Sequence, residues 1–241
     1  DLESIKNLRK PYSNKKADIT NLESQIHGAW MGRICGCMLG KTVEGIRTNE
    51  LIPFLKETGN YPMHRYILRN DLNEEIQSKY KYPFASRCYA DTIDGMPVDD
   101  DTNYTTFAMK LVENYGRDFT AADVMEGWMR WIPILATCTA ERAAYRNAAM
   151  GLLPPETATY KNPYREWIGA QIRGDFFGYI NPGDPERAAD MAWRDASISH
   201  IKNGIYGEMW ASAMIACAAV TDNIEDIILG GLAQIPSTSR L

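Results

Sequence analysis

Histidine is scarce in this chain of 241 residues, which contains only three. His27 and His64 have no partner at helical spacing with which they would form a histidine metal site. His200 is the histidine that we single out, although a lone histidine is more often a hydrogen-bonded structural residue than a ligand. The sequence also lacks a Gly-rich phosphate loop, a Cys/His zinc spacing and a nucleophile elbow. The sequence therefore gives no reason to expect phosphate binding by a Gly-rich loop, zinc binding by Cys and His, or catalysis by an elbow nucleophile.

Cysteine is also sparse, and the five cysteines are scattered along the chain: Cys35, Cys37, Cys88, Cys138 and Cys217. An odd number at irregular spacing excludes a regular disulfide framework. Most of them lie in apolar helical surroundings, which predicts buried thiols in a reducing compartment, so we expect a cytoplasmic protein. The chain begins at Asp1 with neither an initiator methionine nor an apolar signal segment, and we therefore expect that an upstream piece is missing.

Positive charge is in short supply, because 26 Lys and Arg face 31 Asp and Glu and give a formal net charge of -5. Without a basic stripe, the chain is not expected to bind nucleic acid. Long hydrophobic runs are missing as well: the apolar stretch around residue 30 is too short to span a bilayer and is interrupted by His27 and Arg33. Neither nucleic acid nor a membrane is expected as a partner, and the sequence does not indicate an oligomeric state.

No segment shows the polar and apolar alternation of a β-strand, and every strongly periodic segment is helical. The predicted fold class is therefore all-α. We expect residues 1–23 to form a polar, loosely attached arm and residues 24–241 to form one compact multi-helix domain. Residues 46–98 are predicted to contain helical turns and a long loop. Helices are predicted from Ser24, after Asp101, after Thr120, over Thr139 to Gly151, after Asp184, over Gly204 to Val220, and behind a capping box of Asp222 and Glu225.

Four glycines recur at every fourth position of the first long helix: Gly28, Gly32, Gly36 and Gly40. This spacing places them in one stripe, and it predicts close packing inside a helical core because glycine lets a neighbouring backbone approach. The stripe leads to Glu44, which lies at the exit of the helix as either an exposed loop acid or a carboxylate that faces a site.

Three adjacent carboxylates, Asp99, Asp100 and Asp101, are followed by Thr102 at the start of a predicted helix. One carboxylate is enough to cap a helix, where each charge contributes only about 0.3–1 kcal/mol. The two others would be compensated either by solvent, as in an acidic cap, or by a hard cation such as Mg²⁺.

Two further residues would complete a site of this kind. Glu44 could reach the cation, and Arg173, in a polar and aromatic loop, could bind an anionic ligand. The residues alone thus suggest metal-assisted hydrolysis as a hypothesis.

Three segments carry motifs that belong together: the Gly-rich helix running into Gly-Lys-Thr-Val-Glu44-Gly, the run Asp99-Asp-Asp-Thr102, and the stretch from Trp167 to Gly207. Together they resemble the ADP-ribosylglycohydrolase family over about residues 25–241. The recognisable parts of the third segment are Ile168-Gly-Ala-Gln-Ile-Arg173, Gly178-Tyr179, Asn181-Pro-Gly-Asp-Pro-Glu186, Asp195-Ala-Ser-Ile-Ser-His200 and Asn203-Gly-Ile-Tyr-Gly207.

The resemblance implies an all-α domain that holds two Mg²⁺ ions in a cleft, binds ADP-ribose and hydrolyses a bond at its anomeric carbon. The substrate would be an ADP-ribosylated protein or a small molecule with an N- or O-glycosidic linkage. By the same comparison Asp99, Asp100 and Asp101 are metal ligands, and Glu44 and Asp100 are catalytic residues. The residues that it implies for substrate binding, among which Tyr206 would stack on a base or ribose, are Thr102, Arg173, Asp175, Tyr179, His200, Asn203, Gly204 and Tyr206.

The chain departs from the family pattern in two places. Relatives carry Thr-Asp-Asp-Thr, and Asp99 stands where the first Thr would be, which adds a negative charge. Relatives also supply further metal ligands from an Asp-x-Asp-Thr-like motif downstream of the equivalent of residues 235–240, whereas this chain stops at Leu241. We therefore expect that the sequence is truncated at its C-terminal side, or that the remaining helices are in a separate chain.

Two alternatives remain open. One keeps the metal site but replaces ADP-ribose with another nucleoside or glycoside, which the additional Asp99 makes plausible. The other is a catalytically degenerate structural or ligand-binding relative, of the kind represented by the lens crystallins of this family.

Overall fold

The computed structural model describes residues 1–18 and 20–241, and within these ranges it contains helices and no β-strand, which confirms the all-α prediction. Four short 3₁₀ helices cover Arg69–Asp71, Phe84–Ser86, Ile134–Ala136 and Ile168–Arg173. The α-helices are α1 (Leu2–Lys6), α2 (Leu22–Lys41), α3 (Thr48–Glu57), α4 (Glu74–Lys79), α5 (Asp100–Tyr115), α6 (Ala121–Trp131), α7 (Thr139–Ala149), α8 (Glu156–Thr159), α9 (Asp175–Tyr179), α10 (Pro185–Ala196), α11 (Asn203–Ala218) and α12 (Ile224–Leu232).

The chain forms two compact units. The larger unit contains residues 1–26 and 103–241, and the smaller unit contains residues 27–102. These divisions differ from the single boundary expected near residue 24, and α2 and α5 each begin in one unit and continue into the other. Each unit has its own hydrophobic core.

The core of the larger unit is built on α10 and α11, which form its most extensive helix pair. Alanines on α10 allow this close approach, because Ala189, Ala192 and Ala196 are fully buried and have no long side chains to separate the helices. From α11, Met209 and Ala213 fill the same core. The apolar positions of α10 recur at helical spacing, as expected for a face that packs in a core.

The N-terminal residues pack against the larger unit, whereas we expected a loosely attached arm. Ile5 of α1 is buried in the core. Arg9 follows α1 and forms an ion pair of 2.8 Å with Asp190, and its Nε donates to the carbonyl of Gln234 at 2.8 Å. The side chain of Arg9 is only 8% exposed, so these contacts lie largely out of solvent. Polar composition did not reveal this attachment, because the partners come from distant helices.

Helix caps in the larger unit follow the sequence signals with one change. Thr120 and Asp123 form a capping box at the start of α6, and the Asp184 side chain caps α10 by accepting from Arg187 N. The last helix, α12, is capped by Asn223 and not by the predicted Asp222. The Asn223 side-chain oxygen accepts from the backbone N–H groups of Glu225 and Asp226, a geometry that Asn and Asp provide equally well.

The smaller unit has an aromatic core that the sequence did not indicate, because we expected mostly loop in residues 46–98. Phe54 of α3 stacks at 4.6 Å from Phe84, and Tyr82 meets Phe84 edge to face at 4.9 Å. The Tyr82 hydroxyl donates to the backbone carbonyls of Thr42 and Glu44 at 2.9 and 3.0 Å. This core therefore fixes the turn that follows α2.

The glycine stripe of α2 is not packed in a core, which corrects our prediction. A Cβ atom built on Gly28, Gly32, Gly36 or Gly40 would meet no atom within 4 Å among the described residues. None of the twenty residues of α2, all of which the structure describes, is buried. Spacing placed the glycines on one face but could not establish that a neighbour lies against it.

Among the described cysteines, the prediction of buried thiols holds for Cys217 alone. Cys35 and Cys138 are exposed, and Cys37 and Cys88 are partly exposed. Within the residues described, no helix combines the length and the apolar character needed to cross a membrane.

Two glycine substitutions should shift stability in opposite directions. Gly36→Ala adds a methyl group in open space in the middle of α2, and we expect the free energy of unfolding to rise by roughly 0.5–1 kcal/mol. Gly178→Ala would bring Cβ to 2.5 Å from Ile215 Cβ and 2.7 Å from the Ser212 carbonyl, and we expect a loss of about 1–3 kcal/mol. Urea unfolding followed by circular dichroism measures both, and equal effects of the two variants would contradict this description of α2.

Candidate functional site

The Asp run opens α5 as predicted, with Asp99 as the capping residue. Its Oδ1 accepts the backbone N–H of Asp101 at 3.0 Å, and its side chain is 8% exposed. The Thr102 hydroxyl donates back to the Asp99 carbonyl at 3.3 Å. Asp99, which departs from the family pattern, thus has a defined structural role at the helix start.

Two cations from α2 compensate the Asp run. Lys41 Nζ lies 2.8 Å from Asp99 Oδ2, and Arg33 lies 3.2 Å from Asp101 Oδ1 while also donating to the Asp101 carbonyl at 3.1 Å. Arg33, Cys37 and Lys41 are spaced by four residues, so they share one face of α2. The four-residue spacing of these three residues was a signal in the sequence that they share one face. Sequence reasoning missed it and considered only the glycine stripe on the adjacent face.

A candidate cation site lies between α2 and the start of α5, within the smaller unit. Cys37, Asp99 and Asp101 each offer one ligand atom, and these atoms all lie within 4.8 Å of one another. The two carboxylates suit a hard cation such as Mg²⁺, which is often held by one or two carboxylates and water, whereas a thiol suits softer metals. The donor set therefore fits one Mg²⁺ ion through Asp99 and Asp101.

Two features differ from the expected two-ion arrangement. The carboxylate of Asp100 does not belong to this group, although Asp100 is adjacent in sequence. Successive residues of a helix point about 100° apart, so three consecutive side chains cannot all face one point. In the part of the chain that the structure describes, no second group of this kind is found.

Burial and charge act in opposite directions on the two carboxylates. Burial raises the pKa of Asp101 to about 6, and its hydrogen bond with Asp99 and the charge of Asp99 add to this, while Arg33 opposes it. Burial would also raise the pKa of Asp99, but the hydrogen bonds from Lys41 and Asp101 outweigh it and hold this pKa below its ordinary value. The pair is therefore negatively charged at neutral pH and is balanced by Lys41 and Arg33.

Glu44 lies in the turn after α2, in the same unit as the candidate cation site. Its side chain is exposed, and its charge acts on Lys41, the residue that is paired with Asp99. Asp99, by contrast, pairs directly with Lys41 at 2.8 Å although it is distant in sequence.

Arg173 occupies a different environment from the ligand-binding position that we predicted. It is 1% exposed and pairs through Nε with Asp195 Oδ2 at 2.5 Å and through NH1 with Glu141 Oε1 at 2.8 Å. Glu208 lies 3.7 Å away on a third side. The guanidinium is thus surrounded by carboxylates of the protein itself, which leaves no access for the anionic group of a ligand.

A buried charge cluster, consisting of Glu141, Arg173, Asp195, His200 and Glu208, lies inside the larger unit. Burial raises the pKa of Glu208 well above its ordinary value, and the charge of Asp195 and a hydrogen bond with it add to this. Among the described residues, no donor forms a hydrogen bond with either Glu208 oxygen or with Asp195 Oδ1. A proton on Glu208 can therefore form the hydrogen bond between the two carboxyl groups. Burial and the neighbouring carboxylates thus favour the protonated form of Glu208 in the folded protein.

His200 is neutral in this cluster. Burial and the charge of Arg173 lower the pKa of His200 to about 3, and its Nδ1 lies 2.8 Å from the Ser199 hydroxyl. Its Nε2 is 3.9 Å from Glu141 Oε1. This arrangement matches the structural role that a lone histidine most often has.

The backbone at two glycines packs closely against the buried charge cluster. A Cβ on Gly169 would lie 2.7 Å from Glu141 Oε2, and one on Gly174 would lie 2.8 Å from Glu208 Cγ. Sequence reasoning missed Glu141 and Glu208 as partners of Arg173. The available signal was Glu208, which is the single charged residue in the sixteen-residue α11.

Asp175 and Tyr179 also have internal partners. Asp175 is 4% exposed and accepts a hydrogen bond of 2.8 Å from Thr105 on α5. The Tyr179 hydroxyl donates to the same carboxylate at 3.2 Å. The predicted substrate-binding pair thus connects α9 to α5.

The remaining predicted residues lie together around the start of α11. A cavity of about 610 Å³ is bordered by His200, Lys202 and Tyr206 among mainly apolar residues, and an adjoining groove of about 510 Å³ is lined by Asn203, Tyr206 and Arg240. Gly204 packs tightly behind them, because a Cβ there would lie 2.8 Å from the Arg165 carbonyl. Tyr206 and Asn203 are therefore accessible to a ligand, whereas Arg173 and Asp175 are not.

A family model described as ADP-ribosylglycohydrolase matches residues 18–241. The chain belongs to the ADP-ribosylglycohydrolase family. This is a glycohydrolase family, so membership supports a hydrolase as the general class of function. No curated protein and no solved structure matches the chain.

Replacing Glu208 should change how stability depends on pH. The unfolded chain releases the Glu208 proton near pH 4.5 and the folded protein releases it at higher pH, so this residue lowers the free energy of unfolding as pH rises above about 4.5. Glu208→Gln keeps the shape and a donor but does not titrate. We therefore expect the thermal midpoint of the variant, relative to the wild type, to increase between about pH 5 and pH 8.

His200 acts in the opposite direction, because its low pKa in the folded protein reduces the free energy of unfolding as pH falls below 6.5. This effect is the same in both proteins, so the difference between their midpoints at each pH does not contain it. Glu113→Gln, at an exposed position of α5, is the matched control and should shift the midpoint equally at both pH values. A pH-independent difference between Glu208→Gln and the wild type would show that Glu208 is not protonated in the folded state.

Proposed function

We propose that this chain hydrolyses the N- or O-glycosidic bond of an ADP-ribosyl group on a modified protein or a small molecule. The family match over residues 18–241 carries this proposal. The pair of carboxylates at the start of α5 supports it, because two carboxylates can hold a divalent cation that assists hydrolysis.

The residues of the smaller unit have separate proposed roles. Asp99 and Asp101 would hold Mg²⁺, which supplies Lewis acidity when it is bound. Glu44 is exposed beside Lys41 and would orient and deprotonate the attacking water. Asp100 is partly exposed in the first turn of α5 and would contact the reacting group or a second ion.

In the larger unit, Asn203 and Tyr206 are the proposed substrate-binding residues. Their groove also contains Lys202 and Arg240, whose positive charges suit a diphosphate, and a tyrosine ring offers a surface on which a base or ribose can stack. Arg173 has no part in this proposal, since its guanidinium is fully engaged within the protein.

A second candidate function is a catalytically inactive protein that binds a ligand. One observation favours it: Lys41 and Arg33 already compensate Asp99 and Asp101, so the acidic pair is stable without a metal ion. Hydrolysis of another nucleoside or glycoside is a further outcome of the experiment below.

Hydrolysis can be tested with the purified chain and a panel of ADP-ribosylated proteins and small molecules. We expect release of ADP-ribose from at least one substrate with Mg²⁺ and none with EDTA. Asp101→Asn should lower the rate at least about 100-fold, because it removes a ligand charge at the metal. Asp94→Asn, at an exposed position of the same unit, is the matched control and should retain full activity.

The other outcomes separate the candidates. Binding of ADP-ribose in calorimetry without release from any substrate would favour the inactive ligand-binding protein. Cleavage of a nucleoside that ADP-ribose does not inhibit would favour a different glycoside substrate. Full activity in EDTA would contradict the metal-dependent proposal.

A further inference from the structure

Lys41 engages the oxygen atom of Asp99 that the helix cap leaves available. Asp99 Oδ1 accepts the backbone N–H of Asp101 and so serves the helix cap. The other oxygen, Oδ2, accepts from Lys41 Nζ at 2.8 Å. Both oxygens of this carboxylate are therefore engaged, and the second one is engaged by a positive charge.

An ammonium group and Mg²⁺ cannot occupy the same side of one carboxylate oxygen. Metal–oxygen distances of about 2.0–2.1 Å would bring the two cations within a few ångströms of each other, where their repulsion in a partly buried site is large. Asp99 is 8% and Lys41 22% exposed, so water screens this repulsion only weakly. Lys41 and a metal ion would therefore compete for this oxygen of Asp99.

Lys41 is better able to leave than Arg33. Arg33 is anchored twice, to the Asp101 carboxylate and to the Asp101 backbone carbonyl. Lys41 makes its ion pair with Asp99 through a flexible chain, and the negative charge of Glu44 also acts on it.

We propose that Lys41 is an internal replacement for the metal ion: it neutralises Asp99 in the metal-free protein and competes with Mg²⁺ for that carboxylate. This inference rests on the proposed function, since it concerns the same cation site. Lys41 would set the Mg²⁺ concentration at which the site fills, because only the fraction of molecules with an open Asp99 is able to bind the ion.

The Mg²⁺ affinity of the full chain tests this inference by isothermal titration calorimetry. Lys41→Met should bind Mg²⁺ about tenfold or more tightly than the wild type, because no ammonium has to be displaced. Lys56→Met is the matched control: it removes the same charge from the exposed surface of the same unit and should leave the affinity nearly unchanged. Lys41→Arg should remain as weak as the wild type or become weaker.

Thermal unfolding provides a second measurement that does not depend on activity. In EDTA, Lys41→Met should unfold at a lower temperature than the wild type, because Asp99 loses its partner while largely buried. Adding Mg²⁺ should raise the midpoint of this variant more than that of the wild type. Lys41→Gln, which keeps a donor without the charge, replaces Lys41→Met if the latter does not fold.

The outcomes distinguish this inference from the proposed function. Equal Mg²⁺ affinity of Lys41→Met and the wild type, with binding lost in Asp101→Asn and hydrolysis intact, would overturn the role of Lys41 and leave the metal site standing. If Lys56→Met bound Mg²⁺ more tightly by the same factor, net charge alone would explain the gain in affinity. That result would also overturn the role of Lys41. Absence of Mg²⁺ binding in every variant together with absence of hydrolysis would overturn both.

Discussion

The larger unit depends on the neutralisation of one fully buried guanidinium. Arg173, at the end of a 3₁₀ helix, receives one carboxyl group from each of three helices: Glu141 from α7, Asp195 from α10 and Glu208 from α11. The rings of Tyr104 on α5 and Trp128 on α6 face it at 5.6 and 5.1 Å. Removing one partner of such a group leaves a charge without compensation in the interior, typically at a cost of about 3–5 kcal/mol. The relative placement of five helices is therefore linked to a single side chain.

The two acidic centres of the protein use cations differently. In the buried charge cluster, Gly169 and Gly174 bring the backbone against the carboxyl groups, and burial raises the pKa of one of these groups, Glu208. At the start of α5, Asp99 and Asp101 are balanced by Lys41 and Arg33 in a partly exposed setting. The first centre is closed to an added ion and stabilises the fold, whereas the second is open enough for one cation to replace another. This difference in access is why we propose metal chemistry for the second.

The motif of residues 168–173 illustrates how a functional interpretation can fail. Arginine in a polar, aromatic loop suggests an anion site, and the loop indeed lies next to α11, whose first turn lines an accessible groove. Yet the short helix turns Arg173 inward, toward carboxylates from distant segments. The groove beside it is lined instead by Tyr206, Asn203, Lys202, Arg240 and Glu166.

Local rules determined much of this protein from its sequence: the all-α class, the starts of α6 and α10, and the Asp run at the head of α5, because caps and periodicity involve residues only a few positions apart. The same run also indicated that its carboxylates need compensation, since three like charges are adjacent in the chain. What compensates them was decided by the tertiary structure alone, since Lys41 approaches Asp99, and Glu141 and Glu208 approach Arg173, across long stretches of chain. Charge balance in a folded protein is a property of distances in space, and spacing along the chain fixes those distances only within one helix.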